Sequence, residues 1–178
     1  MWTSQITKPA PIKLSLADRI LLRIKALTPT QFEHFAPSLI KAIYDDKDEF
    51  VTTHNGKVGD GGIDAVLKVK KKIGAGVDEY FIQCKRYDKT GVSGNDIQAF
   101  YGAMRCNSSN YGVFITTSHF TKKKEKAIHL LKNDCTIIKI DGEELVNYML
   151  KHKIGIKEIP QNPIFEIDEE FFSQFSDK

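Results

Sequence analysis

The spacing of apolar residues near the start of the chain predicts two successive helices. Over Leu14–Leu27 the apolar positions recur every three or four residues, which is the period of an amphipathic helix. Residues 28–43 keep the same period and begin with Thr28, a suitable N-cap, followed by a proline that suits the first helical position. Gln31 completes a capping box with that threonine. Pro37 interrupts the pattern, and we expect the helix to kink or restart there.

Alternating apolar and polar residues predict strands in the middle of the chain. Ile63–Val69 and Tyr80–Tyr87 both alternate with a period of two, and the lysines and glycines at 70–76 suit a hairpin connection between them. Phe50–Thr53 is a shorter candidate strand. The elements that follow are Asn95–Cys106 (helix), Gly112–Thr117 (strand), Thr121–Leu131 (helix), Thr136–Ile140 (strand) and Glu143–Lys151 (helix). This order predicts an α/β fold in which helices flank a mixed central sheet.

A chain of 178 residues is long enough for one domain with a substantial core, and it shows no internal repeat. We expect an N-terminal arm and helix at 1–27, the main domain at 28–157, and an acidic, aromatic tail at 158–178 whose phenylalanines pack on the body or on a partner subunit. The tail has six acidic residues and one lysine, which give it a net charge of −5. Because the whole chain has a net charge of +3, residues 1–157 have a net charge of +8. A basic body is compatible with a polyanionic partner and favours nucleic acid only weakly.

The cysteines and the hydropathy argue for an intracellular setting. Cys84, Cys106 and Cys135 are widely spaced, without a CxxC pair or histidines at zinc-binding spacing, which is typical of reduced thiols in a cytosol. No apolar run is long enough to span a bilayer, and residues 1–11 lack the apolar stretch of a secretory signal. We therefore expect a cytoplasmic protein without a membrane partner.

Strand periodicity brings three chemically distinctive residues together. On Tyr80–Tyr87, Gln83 and Lys85 share one face, roughly 6–7 Å apart at their Cα atoms, whereas Cys84 points to the opposite face. Asp64 opens the preceding strand directly after two glycines, which allow a tight turn and leave its carboxylate uncrowded. Antiparallel pairing of the two strands would bring Asp64 next to Gln83 and Lys85.

A carboxylate, an amide oxygen and an ammonium group at one point suit phosphodiester hydrolysis. Mg²⁺ prefers hard oxygen ligands, and the candidates are the side chains of Asp64 and Gln83 with the main-chain carbonyl of Cys84. A bound metal lowers the pKa of a water molecule and offsets the charge that grows on the phosphate. Lys85 can orient that water or stabilise the charge. Glu33, in the first turns of the second helix, can add a second carboxylate from outside the strands.

Each of these signals also has an ordinary structural explanation. Glycine and aspartate dominate turns, so Gly-Asp-Gly-Gly before a strand is by itself most often only a turn. A Gln-x-Lys pair occurs by chance in many chains, and a glutamate near a helix N-terminus is more often a partner of the helix dipole than a metal ligand. The combination, in this order and at this spacing, is what favours a catalytic site.

Basic residues at two turns are candidates for contacts with a nucleic-acid backbone, and merely solvated charge is the alternative at both. One group lies at the start of the helix predicted at 121–131, where the helix dipole disfavours cations unless a phosphate binds there. The candidate contacts are Lys68, Lys70, Lys71, Lys72, Arg86, Thr121, Lys122, Lys123 and Lys124. Cys84 is disfavoured as a nucleophile, because the alternation points its thiol to the buried face.

Five ordered blocks of sequence resemble the catalytic domain of the Mrr family of modification-dependent (type IV) restriction endonucleases, which belongs to the PD-(D/E)xK nuclease superfamily. The blocks are GDGGIDAV (59–66), FIQCKRY (81–87), DIQAFYGAM (96–104), GVFITTSHFT (112–121) and IDGEELVNYML (140–150). The resemblance covers about residues 28–156, together with the acidic, aromatic tail. It implies a restriction-endonuclease-like core with a mixed sheet flanked by helices.

The resemblance also implies roles for individual residues. Asp64 matches the acid of the family's GDGGID motif, Gln83 and Lys85 match its Q-x-K, and Glu33 matches the glutamate of its P-x-x-F-E stretch. Gln83 stands where the wider superfamily commonly has an acid. The implied reaction is Mg²⁺-dependent cleavage of DNA, with Mn²⁺ as an alternative ion, that leaves a 5′-phosphate and a 3′-hydroxyl.

The implied biological role is restriction of foreign or modified (methylated) double-stranded DNA, by an enzyme associated with the nucleoid of a prokaryotic cell. Cleavage of both strands needs two active sites, so we expect a homodimer. Mrr-like enzymes usually carry an N-terminal winged-helix domain that reads DNA, and residues 1–27 are too few for one, which leaves dependence on methylated bases open. Two alternatives keep the fold: a structure-selective repair or junction nuclease, and a DNA-binding module without turnover. The intact Asp64, Gln83 and Lys85 argue against the second.

Overall fold

The computed structural model describes residues 14–43, 51–54, 62–70, 75–121, 135–159 and 162–176, apart from the side chains of 51–54, 70 and 162–164. Its helices are α1 (Leu16–Lys25), α2 (Pro29–Ile43), α3 (Gly94–Cys106), α4 (Gly142–His152) and α5 (Glu169–Ser173). Its strands are β1 (Val51–His54), β2 (Ala65–Lys70), β3 (Val77–Lys85), β4 (Tyr111–Thr116), β5 (Thr136–Ile140), β6 (Ile156–Ile159) and β7 (Asn162–Ile167). None of these helices is long and apolar enough to cross a membrane. The helix predicted after Thr121 lies outside the described residues.

One five-stranded sheet, in the order β1-β2-β3-β4-β5, forms the centre of the fold. β1, β2 and β3 pair antiparallel. β3 and β4, which α3 connects along the chain, pair in parallel, and so do β4 and β5. The mixed sheet predicted from the order of elements is therefore confirmed. Its middle strand is β3, which carries Gln83 and Lys85.

Different layers cover the two faces of the sheet. Ile82 and Ile115 face α1, α2 and α4, and belong to the larger hydrophobic core. Phe81 and Phe114 face α3 and form the smaller core with Phe100. Because successive strand residues point to opposite faces, the separation of Phe81 from Ile82 confirms the alternation that was predicted for β3.

Helix α2 begins as its sequence predicts. The Thr28 N–H donates to Gln31 Oε1 at 2.9 Å, and the Gln31 N–H donates to the Thr28 hydroxyl at 3.2 Å, which completes the capping box. The helix then runs through Pro37 as one element, so of the two outcomes predicted at that residue the restart is wrong and the kink stays a prediction. Pro37 is buried, and its packing helps to offset the hydrogen bond that its missing N–H removes.

The C-terminal residues form elements that the sequence pattern did not predict. β6 and β7 pair as an antiparallel hairpin, and α5 follows with Asp168 as its N-cap. Phe172 on α5 is fully buried and stacks on Phe35 of α2, with 5.7 Å between ring centroids. Arg23 of α1 lies 4.5 Å from the centroid of the Phe172 ring and pairs with Glu169 at 2.8 Å. The expected packing of tail phenylalanines on the body is confirmed for this helix.

Candidate active site

The start of β2 and the end of β3 bring Asp64 close to the strand segment that carries Gln83 and Lys85. The register pairs Ala65 with Ile82, and Asp64, one residue before β2, bonds to the backbone of Ile82 and of Cys84, the two neighbours of Gln83. Gln83 and Lys85 continue the row of side chains that begins with Phe81 in the smaller core. The antiparallel pairing that the sequence analysis required is therefore present.

The backbone of β3 fixes the Asp64 carboxylate. The Asp64 N–H donates at 2.9 Å to the carbonyl of Ile82, the residue that pairs with Ala65 in the ladder. The Cys84 N–H donates to Asp64 Oδ2 at 2.6 Å, so the side chain serves as the acceptor where the ladder ends. Charge-assisted bonds of this length are stronger than neutral ones. Because the N–H and the carbonyl of a strand residue point to the same side, the Cys84 carbonyl is also directed toward the Asp64 side.

The Gln83 amide is buried at this site, and its oxygen has no donor among the residues that the structure describes. The residue is 4% exposed, and Oε1 makes no hydrogen bond to any of the described residues. A buried polar atom without a partner costs about 1–3 kcal/mol, and native proteins rarely retain one without an ion, an ordered water or a functional reason. The oxygen is therefore a candidate ligand for a cation.

Gly62 makes room for the Gln83 amide. Its φ of +90° is a conformation that residues with a side chain rarely adopt. A Cβ atom added at this position would overlap the Gln83 Nε2 atom. The sequence pattern indicated only a tight turn here, and the close approach to Gln83 is a second reason for glycine.

Cys84 lies on the opposite face of β3, as predicted, and its thiol is buried. Burial raises the pKa of the Cys84 thiol well above its usual range, and the charges of Asp64 and Glu33 raise it further against an opposing effect of Lys85. The thiol therefore stays protonated and is not poised as a nucleophile. The same interactions indicate that Asp64, Glu33 and Lys85 all lie near Cys84 at the end of β3.

Glu33 approaches the strand end from α2, whose neighbouring residues Phe32 and Phe35 are buried in the larger core. Helix α2 packs on the face of β3 that carries Ile82 and Cys84, so Glu33 reaches the end of the strand from the side of the larger core. Within the described part of the chain, no three His, Cys, Asp or Glu side chains are close enough together to hold a metal ion. A metal here would need the Gln83 amide oxygen and a main-chain carbonyl beside the carboxylates, and such oxygen donors suit Mg²⁺.

The side chains of two predicted DNA contacts, Lys68 and Thr121, each bond to another part of the protein. Lys68 pairs with Glu79 at 2.6 Å, and both side chains are partly exposed. The Thr121 hydroxyl donates to the Val92 carbonyl at 3.0 Å, beside the N-terminus of α3. Six further candidates have side chains outside the described residues, namely Lys70, Lys71, Lys72, Lys122, Lys123 and Lys124.

Arg86, the other predicted DNA contact, is held within the protein. Its guanidinium donates to the Lys25 carbonyl and to the Asp88 carboxylate, at 2.8 Å in each case. Lys25 in turn donates its ammonium to the Asp88 carbonyl at 2.9 Å. These bonds tie the loop after β3 to the C-terminal end of α1, so they give Arg86 a structural role. A DNA contact by Arg86 stays a prediction.

Solved structures of other proteins share this fold. DNA modification-dependent restriction endonuclease AspBHI superposes with a TM-score of 0.58 at 16% identity, over 86% of this chain and 41% of that chain. MspJI restriction endonuclease, solved with a 27-mer oligonucleotide, gives a TM-score of 0.55 at 15% identity, over 84% of this chain and 35% of that chain. The fold is thus that of the PD-(D/E)xK restriction endonucleases.

Sequence comparison then identifies the family. The model of the Mrr catalytic domain, described as a restriction endonuclease, matches residues 24–149, and the chain therefore belongs to the Mrr family of restriction endonucleases. The type IV methyl-directed restriction enzyme EcoKMrr of Escherichia coli (strain K12) is 30% identical over 142 residues, which are 80% of this chain and 44% of that enzyme. The chain thus spans less than half the length of this relative.

Proposed function

We propose that the chain is a Mg²⁺-dependent endodeoxyribonuclease, with Mn²⁺ as an alternative ion, that hydrolyses phosphodiester bonds in double-stranded DNA. The observation that carries the proposal is that the Asp64 carboxylate accepts from the Cys84 N–H, between Gln83 and Lys85, while the buried Gln83 oxygen has no hydrogen-bond partner among the described residues. A bound cation would give the buried amide oxygen a partner, and the negative charge of the nearby Asp64 carboxylate would offset the positive charge of that cation. Membership of a family of restriction endonucleases supports the same reaction.

The proposed catalytic residues have distinct tasks. Asp64, Gln83 and the Cys84 carbonyl would hold the cation from the strands, and Glu33 would add a carboxylate from α2. A bound divalent cation supplies Lewis-acid stabilisation of the phosphate and lowers the pKa of a water molecule. Lys85, on the same face as Gln83, would orient the attacking water and donate to phosphate oxygens as negative charge develops there.

The proposed substrate is foreign or modified DNA. EcoKMrr is described as methyl-directed and AspBHI as DNA modification-dependent, and both proteins are more than twice the length of the part that matches this chain. Selection of modified DNA as the substrate is a property of those longer proteins, and for this chain it is a proposal. Lys68 and the lysines at 70–72 and 122–124 are proposed to contact the DNA backbone, together with Thr121.

We further propose a homodimer that acts on DNA in the cytoplasm, because cutting both strands requires two active sites. Analytical ultracentrifugation of the protein with a short duplex and Ca²⁺ tests the assembly. A species of two chains per duplex is the expected result, and a single chain per duplex would contradict it.

Cleavage of supercoiled plasmid tests the proposed reaction. With Mg²⁺ or Mn²⁺ we expect nicked and linear products, and with excess EDTA we expect none, because the metal ligands then hold no ion. Methylated and unmethylated plasmids compared side by side show whether modification directs cleavage, and a branched junction of equal length serves as the third substrate.

A junction cut faster than either plasmid would favour a repair or junction nuclease over a restriction enzyme. Failure to cut every one of these substrates with any of several divalent metals would refute the enzymatic proposal. Binding of the same DNA without cleavage would leave a DNA-binding module as the remaining function.

Gly62→Ala is expected to impair the site through the Gln83 amide. The added Cβ overlaps Gln83 Nε2 and the positive φ is strained, so the free energy of unfolding should fall by about 1–3 kcal/mol. Displacement of the amide should lower the cleavage rate by about tenfold or more. Urea unfolding and single-turnover plasmid cleavage measure the two effects.

Gly102→Ala on α3 is the matched control for this prediction. A Cβ at Gly102 meets nothing within 4 Å, and alanine is favoured over glycine in a helix by about 1 kcal/mol. The control should therefore be more stable than the wild type and equally active. Cleavage by the Gly62→Ala variant at the wild-type rate would show that the reaction does not depend on the observed position of the Gln83 amide.

A further inference from the structure

Two threonine side chains hold the point at which β3 and β4 end together. Lys85 and Thr116 are the last residues of these strands and pair in the parallel ladder. The Thr116 hydroxyl donates to the Lys85 carbonyl at 2.8 Å, whereas the Thr117 N–H reaches the same carbonyl only at 3.4 Å. The hydroxyl therefore makes the shorter of the two bonds to the main chain of Lys85.

The second threonine repeats the arrangement two residues further along the chain from Lys85. The Thr117 hydroxyl accepts from the Tyr87 N–H at 2.9 Å and donates to the Tyr87 carbonyl at 2.7 Å. Thr116 also accepts from the Ser118 N–H at 3.2 Å. Thr116 and Thr117 are 0% and 1% exposed, so their hydroxyls serve the protein backbone and are sealed from solvent.

We propose that Thr116 is a positioning residue for Lys85 in the DNA cleavage reaction. The proposal rests on the function proposed above. Lys85 is the last residue of β3, and the only described strand that pairs with it is β4, which ends at the same point. The pairing places Thr116 beside Lys85 on the same face of the sheet, where its hydroxyl bond to the Lys85 carbonyl reinforces the ladder at the point where it ends. Catalytic groups lose efficiency when they move by about 0.5 Å or more.

Thr116→Val tests the proposal, because valine keeps the size of threonine and removes the hydroxyl. We expect the single-turnover cleavage rate at saturating DNA to fall by about 10- to 100-fold, since a small misplacement of a catalytic group has effects of this size. DNA affinity, measured with Ca²⁺ in place of Mg²⁺, should stay unchanged. Thr116→Ser keeps the hydroxyl and is expected to restore most of the rate.

Ser109→Ala is the matched control at the other end of the same strand pair. The Ser109 hydroxyl, 5% exposed, bonds to the carbonyls of Glu79 and Tyr111 at 3.0 Å each, so its removal breaks the same kind of bond. Each hydroxyl is expected to contribute about 1 kcal/mol to stability. Ser109→Ala should therefore lose similar stability to Thr116→Val and keep the wild-type cleavage rate.

The outcomes separate the two proposals. A wild-type protein that cuts no DNA refutes the proposed function. An active wild type, with Thr116→Val as fast as Ser109→Ala, refutes the positioning role alone, and so does a Thr116→Ser variant as slow as Thr116→Val. Should Thr116→Val not fold, Thr116→Cys keeps a weaker donor of similar size, and its rate must lie between those of wild type and Gly62→Ala for the role to stand.

Discussion

Asp64→Asn is expected to abolish cleavage while the protein stays folded. Asparagine has the same shape and keeps a carbonyl oxygen that can accept the Cys84 N–H, now 2.6 Å from Asp64 Oδ2. It loses the negative charge that would bind the cation. Several kcal/mol of transition-state stabilisation depend on that cation, so the rate should fall by about a thousandfold or more.

The unfolding curve and the cleavage rate should respond very differently to this change. We expect urea unfolding of Asp64→Asn to stay within about 1–2 kcal/mol of wild type, because one charge-assisted bond becomes a neutral one. Asp78→Asn makes the same chemical change near the other end of β3, and should keep the wild-type rate. Metal-dependent cleavage by Asp64→Asn at the wild-type rate would mean that the proposed metal site is wrong.

The common face of Gln83 and Lys85 could be predicted from the sequence because strand periodicity leaves little choice. A shift of the β2–β3 register by one residue would turn every apolar side chain of β2 to the other face. The observed pairing of Ala65 with Ile82 buries Ile82 in one core and Phe81 in the other. The same pairing brings Asp64 to the end of β3, where its carboxylate accepts from the Cys84 N–H.

The finer features of the site could not be predicted, since they depend on contacts between distant parts of the chain. The burial of the Gln83 oxygen depends on how closely Gly62 approaches the amide. The sequence block at 112–121, which contains Thr116 and Thr117, indicated only a buried strand. Its periodicity does not identify the carbonyl groups to which the two hydroxyls donate. The approach of Glu33 to the end of β3 likewise depends on how α2 packs.

The C-terminal hairpin was not predicted for a different reason. β6 and β7 have only four and six residues, and Pro163 falls inside β7, where proline argues against a strand. Helix α5 has five residues, too few for a recognisable helical period. The clustered phenylalanines indicated packing, and only the fold could show that they pack on α2.

Phe172→Ala is expected to destabilise the whole domain, although Phe172 lies beyond residues 24–149 that match the family model. The side chain is fully buried, stacks on Phe35 at 5.7 Å and lies under the Arg23 guanidinium. Truncation of a buried phenylalanine costs about 3–5 kcal/mol. That is a large part of the roughly 5–15 kcal/mol that stabilises a typical domain. Urea unfolding should show a lower midpoint with an unchanged slope.

The same substitution should make cleavage sensitive to temperature, because Phe35, the partner of Phe172, lies only two residues after Glu33 on α2. Loosening that helix frees Glu33 before it disturbs the strands that carry Gln83 and Lys85. Phe165→Ala is the control, since Phe165 is only partly buried at the edge of the same core, and its truncation should cost less than that of Phe172. Equal stability losses for the two variants would mean that α5 is not part of the domain core. A large loss of stability for Phe172→Ala alone would show that the folded nuclease domain extends beyond residues 24–149, which match the family model.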